Sequence, residues 1–368
     1  MKITTTIARI LVAVLFIFSG LVKANDPLGL SYKMQEFFEI WGFTRFDPYT
    51  LGLSVAMNAF EIIAGFALLI GWRIRLISWL LLLLILFFTF LTGYTYVTGK
   101  PVNCGCFGDC LLISSGASFV KDVVLTILIV LIFVRWFTIK PLAGKRLSGI
   151  LMLLVTAFAF LFQWYTLTYL PLVDCLPFKK GNNIPQQMKP PAGSVTDSFA
   201  IVFVYEKAGK QFEFAPAALP ADLNTYTYVS RRDKMIRQGN AMPAIRGFAL
   251  TSVSGEDSTA KILSAPRVIL LFCENFNKPV GEWSDAFGEI YKKALEKNIP
   301  VYAISNTREL ATRLFQPYVF RNIQVFSCDN TAIRTAARTN PCLYLIENGT
   351  VVRKAGSKQM DRIGKLIE

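Results

Sequence analysis

Long apolar runs alternate with short polar segments through the first half of the chain and predict membrane-spanning helices. Each run is close to the ~20 residues that a spanning helix needs. The runs cover residues 3–22, 50–70, 76–97, 119–137 and 147–170. The first also has the basic start of a signal peptide, but Lys23 beside the cleavage point favours a retained helix. We therefore expect an all-α polytopic membrane helix bundle over residues 1–175.

The second half shows the alternation of strand and helix patterns that is typical of an α/β domain. From about residue 241, buried strands such as RVILLF precede amphipathic helices, and NPCLYLIENGTVVRKAG ends the series as a hairpin with an Asn-Gly turn. This order predicts a mixed sheet with helices on its faces over residues 241–368. Residues 176–240 are predicted to be a linker containing a β-hairpin, SFAIVFVYEKAGKQFEFAP, and a partly helical stretch over residues 221–240.

Three cysteines are clustered between the third and fourth apolar runs, in PVNCGCFGDC. Cys104, Cys106 and Cys110 would lie at the same end of the bundle as Cys175, which follows the fifth run. Two glycines within the cluster allow turns tight enough for neighbouring sulfur atoms to meet. Thiol–disulfide exchange, static disulfides and a four-thiolate zinc site all remain open, although Cys-x-Cys-x3-Cys is not the usual zinc knuckle.

The distribution of lysine and arginine predicts that the cysteine cluster lies outside the cytosol. With the N-terminus inside, five of these residues lie at outer ends: Lys23, Lys33, Arg45, Lys100 and Lys121. Eight lie at cytoplasmic ends, as the positive-inside rule requires: Lys2, Arg9, Arg73, Arg75, Arg135, Lys140, Lys145 and Arg146. We therefore expect a multi-pass protein of the cytoplasmic (inner) membrane with an extracytoplasmic C-terminal domain, where disulfides persist.

The absence of histidine from the 368 residues excludes several classes of catalytic and metal site. No Ser-His-Asp or Cys-His pair can form, and neither haem nor zinc can have a histidine ligand. We predict no metal site. The net charge of +14 is mixed along the chain without a basic run, which indicates a solvated face near anionic lipid rather than nucleic-acid binding. Membrane lipid is thus an expected partner, and nucleic acid is not.

One carboxylate stands near the middle of the second apolar run, in NAFEIIAGFALLIG. A charge at that depth is costly, so Glu61 is a candidate functional residue or a member of a specific polar pair. Asn58 lies one helical turn earlier on the same face. Because no intramembrane base is evident from the sequence, a structural role for Glu61 is favoured slightly over proton transfer.

Three motifs resemble the DoxX/MauE family of redox-associated membrane proteins. They are FIFSGLVKANDPLG, FEIIAGFALLIG and VNCGCFGD, and the resemblance covers about the first 175 residues. It implies a four-helix core with the cysteine loop at the outer surface, and the fifth helix exceeds that pattern. Within the family, MauE is linked to methylamine utilisation through maturation of periplasmic methylamine dehydrogenase, and DoxX-like proteins to thiosulfate or oxidative-stress redox. Cys110 and Cys175 lie outside the shared motifs, so the family implies no role for them.

The C-terminal pattern resembles the thioredoxin fold over residues 242–368. TNPCLYLIENGTVV matches the segment where thioredoxins place a cis-proline, and Pro341 is the residue it would fall on. The chain departs from that family at CENFNKPV, where Cys273 has no partner two residues later. Thioredoxin-type dithiol catalysis is therefore not expected, and Cys273, Cys328 and Cys342 are expected to be buried thiols.

The combined hypothesis is a membrane protein of thiol–disulfide redox on the extracytoplasmic face, assisting disulfide formation or maturation of envelope proteins. A thiolate among Cys104, Cys106 and Cys110 would attack a disulfide, and a neighbouring cysteine, Cys175 included, would resolve the mixed intermediate. Envelope client proteins or a redox partner would bind to it. No sequence feature indicates a cofactor, and a quinone is a reasonable acceptor if electrons cross the bilayer. The alternative is a non-catalytic anchored binding protein with structural disulfides.

Overall fold

The computed structural model of the chain describes residues 2–101, 105, 108–111, 113–195, 198–237, 239 and 241–367. Two of the predicted site residues, Cys104 and Cys106, lie outside the described residues. The described part comprises a helical N-terminal region followed by an α/β region with two sheets.

Six helices of more than 12 residues form the N-terminal region. They are α1 (Lys2–Asn25), α2 (Pro27–Ile40), α3 (Thr50–Ile70), α4 (Ile74–Thr98), α5 (Ser115–Val134) and α6 (Lys145–Tyr169). Within the described residues, five helices are long and apolar enough to cross a membrane, which confirms the five predicted spans. The exception is α2, a 14-residue helix that the apolar runs did not predict. It begins at Pro27 because the Asp26 side chain caps it by accepting from the Gly29 amide.

The bundle is closely packed where α1 crosses α3. A Cβ on Gly20 would lie 2.8 Å from the Ile62 side chain, and one on Gly65 would lie 2.9 Å from the Ala13 carbonyl oxygen. Small residues at such crossings let two helix backbones approach closely, which stabilises helix pairs in lipid. This contact fixes the height of α3 relative to α1 and therefore the level at which their polar side chains meet.

The bundle has two distinct ends. At one end, the Leu142 amide in the α5–α6 connection donates to the Ile70 carbonyl at the end of α3. At the other, the Asn25 side chain at the end of α1 donates to the Val173 carbonyl after α6. That second end carries α2, Gly108–Cys110 and the exit from α6, and we call it the domain-bearing end.

A five-stranded mixed sheet forms the centre of the C-terminal region. Its strand order is β6-β5-β4-β7-β8, with β4 parallel to β5 and antiparallel to β7. The strands are β4 (Val268–Phe272), β5 (Val301–Ser305), β6 (Gln324–Ser327), β7 (Cys342–Glu347) and β8 (Thr350–Gly356). The helices that accompany them are α8 (Thr259–Leu263), α9 (Ser284–Glu296), α10 (Arg308–Phe315), α11 (Asn330–Ala336) and α12 (Asp361–Gly364). Because β4 is buried at every residue, its run VILLF lacks alternation.

A smaller antiparallel sheet precedes it, with strand order β2-β1-β3. Strands β1 (Ser198–Lys207) and β2 (Lys210–Phe214) form the predicted hairpin. The prediction of partial helix over residues 221–240 holds only for a 3₁₀ turn at Leu223–Thr225, because most of the stretch forms β3 (Thr227–Arg237), which pairs along β1. Its polar run TYVSRRDKMIR has little apolar alternation, so the local pattern does not predict a strand. Pairing with β1 stabilises the extended conformation.

The start of the predicted linker packs against the five-stranded sheet. Phe178 and Ile184 are fully buried in the same cluster as Phe272 and Tyr344. A short helix, α7 (Ile184–Gln187), begins here, and the Ile184 amide donates to the Gly349 carbonyl. The chain that leaves α6 is therefore fastened to the sheet within about a dozen residues, so the α/β domain is held close to the domain-bearing end.

Candidate functional site

A disulfide joins two of the predicted cysteines at the domain-bearing end. Cys110 and Cys175 are bonded, with their Cα atoms 4.9 Å apart and 65 residues of chain between them. Both residues are half-buried. The bond links the segment after α4 to the exit from α6, so it closes the bundle on the side that faces the α/β domain. This arrangement brings together the two predicted site residues that the family motifs did not cover.

The residue before each cysteine of this disulfide is an aspartate held by the α/β domain. Asp109 accepts a hydrogen bond of 2.7 Å from Arg338 Nη2, and Asp174 accepts one of 2.7 Å from Lys354 Nζ. The two basic side chains are only 5% and 7% exposed and the two aspartates 31% and 26% exposed, so both ion pairs are partly shielded from water. The α/β domain therefore binds the disulfide segment from both sides.

Arg338 is the centre of the contact. Its Nε donates to Asp26 Oδ2 at 2.8 Å while its Nη2 holds Asp109, so one guanidinium bridges the cap of α2 and the cysteine loop. Burial alone would lower the pKa of Arg338, but the carboxylates of Asp26 and Asp109 raise it overall. The guanidinium stays charged, and the pairing satisfies a cation that would otherwise be very costly to bury.

A second cluster of polar contacts surrounds Tyr32 of α2. The Tyr32 hydroxyl donates to Glu274 Oε2 at 3.0 Å, and Arg334 Nε donates to Glu274 Oε1 at 2.9 Å. Arg334 also donates from Nη1 to Gln35 Oε1 at 3.0 Å, and its guanidinium lies 4.7 Å from the centre of the Tyr32 ring. Burial, with the neighbouring Glu274 carboxylate, raises the pKa of Tyr32, so the hydroxyl remains a donor. We refer to Asp26, Tyr32, Asp109, Glu274, Arg334 and Arg338 as the interdomain cluster.

The interdomain cluster lies at the edge of the sheet where Pro341 and Cys273 are found. The Asn340–Pro341 peptide bond is cis, and Pro341 directly precedes β7. The Asn340 side chain accepts from the Glu274 amide and donates to the Asn275 carbonyl, which ties the Pro341 turn to the end of β4. This edge of the α/β domain faces the membrane bundle rather than open solvent.

The remaining described thiols do not form a reactive pair. Cys273, Cys328 and Cys342 are buried and unbonded. Burial raises the pKa of Cys342 to about 11 and that of Cys328 to about 11, and it raises the pKa of Cys273 still further. Because the thiolate is the reactive form, these thiols are poor nucleophiles near neutral pH.

Glu61 lies in the bundle beside a base that the sequence did not reveal. It is 1% exposed and forms an ion pair with Lys23 through Oε1, while Oε2 has no hydrogen-bond partner among the residues that the structure describes. The expectation that no intramembrane base is near Glu61 was therefore wrong. Lys23 was counted among the outer charges, but it is a buried residue of α1 that reaches across to α3.

Asn58 does not contact Glu61 but pairs with α6 through its amide nitrogen, while its Oδ1 is buried without a partner among the described residues. Its Nδ2 donates to Gln163 Oε1 of α6 at 3.2 Å, so the two residues join α3 to α6 and not to Glu61. A second buried carboxylate, Asp122 of α5, accepts 2.6 Å and 3.0 Å hydrogen bonds from Lys121 and Thr92. A cavity of about 30 Å³ lies between the Lys23–Glu61 and Lys121–Asp122 pairs, with room for about one water molecule.

A larger pocket lies on the other side of Lys23, between α1, α2, α3 and α4. It has a volume of about 230 Å³ and is almost entirely apolar. We call this pocket the aromatic pocket. Its wall includes Lys23, Lys33, Phe37, Phe38, Trp41, Met57, Phe88, Leu91 and Gly105. Gly105 packs on the stem of Lys33, with its Cβ position 3.0 Å from Lys33 Cγ. The pocket thus reaches the segment that carries the predicted cysteines.

Sequence reasoning missed most of the interdomain cluster and the aromatic pocket. Asp26, Arg338 and Lys354 are ordinary surface-type residues in the sequence, and only tertiary docking buries them. The motif ANDPLG carried the one available signal, since an Asn-Asp-Pro sequence after an apolar run indicates a helix start. No group of three or more metal-ligating side chains occurs within the described ranges, and the zinc alternative falls partly on residues outside them.

Comparisons with known proteins identify two regions of the chain. Residues 199–238, which include most of the smaller sheet, match a domain family of unknown function, DUF8463. No curated protein matches the chain, and no solved structure does. Residues 1–137 match the family described as methylamine utilisation protein MauE, so this part of the chain is similar to that family, and the five apolar helices support a multi-pass membrane protein.

Proposed function

We propose that this protein carries out thiol–disulfide redox at the extracytoplasmic face of the cytoplasmic membrane, where it assists disulfide formation or maturation in envelope proteins. The observation that carries the proposal is the position of the Cys110–Cys175 bond. It lies in the loop that bears Cys104 and Cys106, and both adjacent aspartates are bound by the α/β domain.

The proposed reaction is disulfide exchange. A client thiolate attacks one sulfur of the Cys110–Cys175 bond, and the other cysteine leaves as a thiolate. A second client thiolate then attacks the client sulfur of the mixed disulfide and displaces the protein cysteine. The client gains a disulfide, and the protein is left with two thiols. Cys104 and Cys106 are proposed as neighbouring cysteines that attack and resolve such mixed disulfides.

We propose a thioredoxin-like but non-catalytic role for the α/β domain. The strand–helix order, the mixed sheet and the cis bond before Pro341 support the likeness. Burial of Cys273 and Cys342 argues against dithiol catalysis by the domain itself. Since the Pro341 edge faces the cysteine loop, the domain is suited to shield the disulfide and to control which client reaches it. Envelope clients or a redox partner would bind beside it.

The test is a redox titration of the full-length protein in detergent. The protein is equilibrated with glutathione buffers of defined potential, and free thiols are alkylated and mapped by mass spectrometry. We expect Cys110 and Cys175 to change state together in the range of catalytic dithiols, above about −300 mV. In a Cys110→Ala variant, the Cys175 thiolate should attack the disulfide of an oxidised client in the reverse reaction and trap a mixed disulfide, because Cys110 is absent to resolve it, whereas a Cys328→Ala control should trap none.

The second candidate function is a non-catalytic anchor with a structural disulfide. The two partly shielded ion pairs beside Cys110 and Cys175 favour it, because they hold the bond in one place. On that alternative the bond resists glutathione at every potential and the Cys110→Ala variant traps nothing. That result would exclude the redox proposal and support the anchor.

A further inference from the structure

We infer that the aromatic pocket binds a quinone, and that Lys23 forms its hydrogen-bonding end. The inference names the electron acceptor for the proposed thiol oxidation and in that respect rests on it, but binding itself is an independent property of the pocket. Three features of the pocket carry the inference: its lining, its opening and its polar end.

The lining suits a planar ring. Phe37, Phe38, Trp41 and Phe88 supply aromatic faces, and Met57 supplies an adaptable thioether side chain. Flat π-systems stack on such faces, and an apolar pocket of about 230 Å³ is large enough to enclose most of a ring-sized head group.

The pocket also opens toward lipid. Leu53 and Phe87, which border it, have side chains that are 48% and 45% exposed on helices that cross the membrane. Exposed apolar side chains on such helices face acyl chains, so a ligand enters from the bilayer rather than from water. A redox-active lipid meets this requirement, and a water-soluble cofactor does not.

The polar end is formed by Lys23, which is paired with Glu61 outside the pocket wall. Lys23 is 3% exposed and borders both the aromatic pocket and the small cavity beside Asp122. Its ammonium can donate to a ring carbonyl oxygen, which accepts hydrogen bonds well. A hydrocarbon tail cannot accept a hydrogen bond from this end of the pocket, whereas a quinone carbonyl can.

The chemistry balances without a further reactant. Oxidation of the Cys110 and Cys175 thiols to the disulfide releases two electrons and two protons. A quinone accepts both electrons and both protons and leaves as the quinol. Gly105, five residues before Cys110, is part of the pocket wall, so the acceptor binds beside the cysteine-bearing segment.

Binding is tested with decylubiquinone and the full-length protein in nanodiscs, followed by quenching of tryptophan fluorescence. Met57→Trp fills the pocket and should weaken binding at least tenfold. Leu153→Trp is the matched control, because Leu153 is 70% exposed on α6 away from the pocket, and it should bind as the unmodified protein does. A photoreactive azidoquinone should label α2 and α4.

Lys23→Met separates the polar end from the apolar walls. It should weaken decylubiquinone binding several-fold and leave the binding of an alkane-tail analogue without carbonyl groups unaffected. Equal affinity in Met57→Trp and the unmodified protein, or label spread evenly over the lipid-facing helices, would overturn the inference. Quinone binding without thiol turnover would refute only the proposed function, and turnover with undiminished rate in Met57→Trp would refute only the quinone site.

Discussion

At the scale of single residues, Arg338 has the largest predicted effect on domain docking. It is nearly fully buried and pairs with both Asp26 and Asp109. Arg338→Met would leave two carboxylates partly buried without a cation, and breaking a buried pair in this way costs about 3–5 kcal/mol. We expect faster hydrogen exchange in α2 and α11, measured by mass spectrometry of the full-length protein.

The matched control for this substitution is Arg362→Met, since Arg362 is an exposed arginine of α12. It should leave exchange in α2 unchanged. Adding Asp26→Asn and Asp109→Asn to Arg338→Met removes the orphaned charges and should recover much of the lost protection. If Arg338→Met exchanges like the unmodified protein, the cluster does not hold the domains together.

Lys23 and Glu61 should behave as a coupled pair. Lys23→Met alone leaves a carboxylate inside the bundle and should lower the free energy of unfolding by several kcal/mol. Lys23→Met combined with Glu61→Leu replaces the pair by apolar side chains and should cost clearly less than Lys23→Met alone. The measurement is the thermal midpoint in detergent for each single and the double variant. Additive losses in the double variant would show that the two side chains do not interact.

At the scale of elements, the sequence predicted the helices and strands whose conformation is determined by their own local residue pattern. The spans α3 and α4 were predicted to within two residues, because an apolar run of membrane length has few alternatives. The pattern failed for α2, which is short and only moderately apolar, and for β3, whose residues are largely polar. Both elements depend on a neighbour, α2 on the docked domain and β3 on β1, and local periodicity carries no information about either partner.

The buried thiols of the five-stranded sheet region give that part a predicted pH dependence. Cys328 and Cys342 have folded-state pKa values of about 11, above the ~8.5 of an unfolded thiol. A raised pKa means that the unfolded chain releases these protons first. Their stability contribution is therefore complete below pH ~8.5 and is lost as the pH rises toward ~11, by at most about 1.4 kcal/mol per unit for each thiol.

The measurement compares denaturation midpoints of the unmodified protein and Cys328→Ala across that pH range. Other groups titrate there, so the difference between the two proteins isolates the thiol. We expect the unmodified protein to lose stability more steeply with rising pH than Cys328→Ala. Parallel pH curves would mean that the Cys328 thiolate is as well accommodated in the fold as in the unfolded chain.

At the scale of the whole molecule, the candidate site could be predicted in its parts but not in its arrangement. The sequence placed Cys110 and Cys175 at one end of the bundle because five spans alternate in direction, and the structure bonds them. It could not predict that Asp109 and Asp174 would pair with Arg338 and Lys354, since 229 and 180 residues separate these partners. Only the docking of the two regions brings them together.

Because the two regions are docked, the side of the membrane on which one lies determines the side for the other. The α/β domain lies at the domain-bearing end with the disulfide, so both must be on the same side, and the α5–α6 connection must be on the other. We expect the extracytoplasmic side for the domain. Two cysteine substitutions report on it: Ser254→Cys in an exposed turn of the domain, and Leu142→Cys, 68% exposed, in the α5–α6 connection.

The two variants are labelled in intact cells with a membrane-impermeant maleimide, before and after permeabilisation. Ser254→Cys should react in intact cells, and Leu142→Cys should react only after permeabilisation. The unmodified protein supplies the background, because its described free thiols are buried. The reverse pattern would place the Cys110–Cys175 bond in the reducing cytosol, where a stable disulfide is not expected, and the proposed extracytoplasmic redox role would then fail.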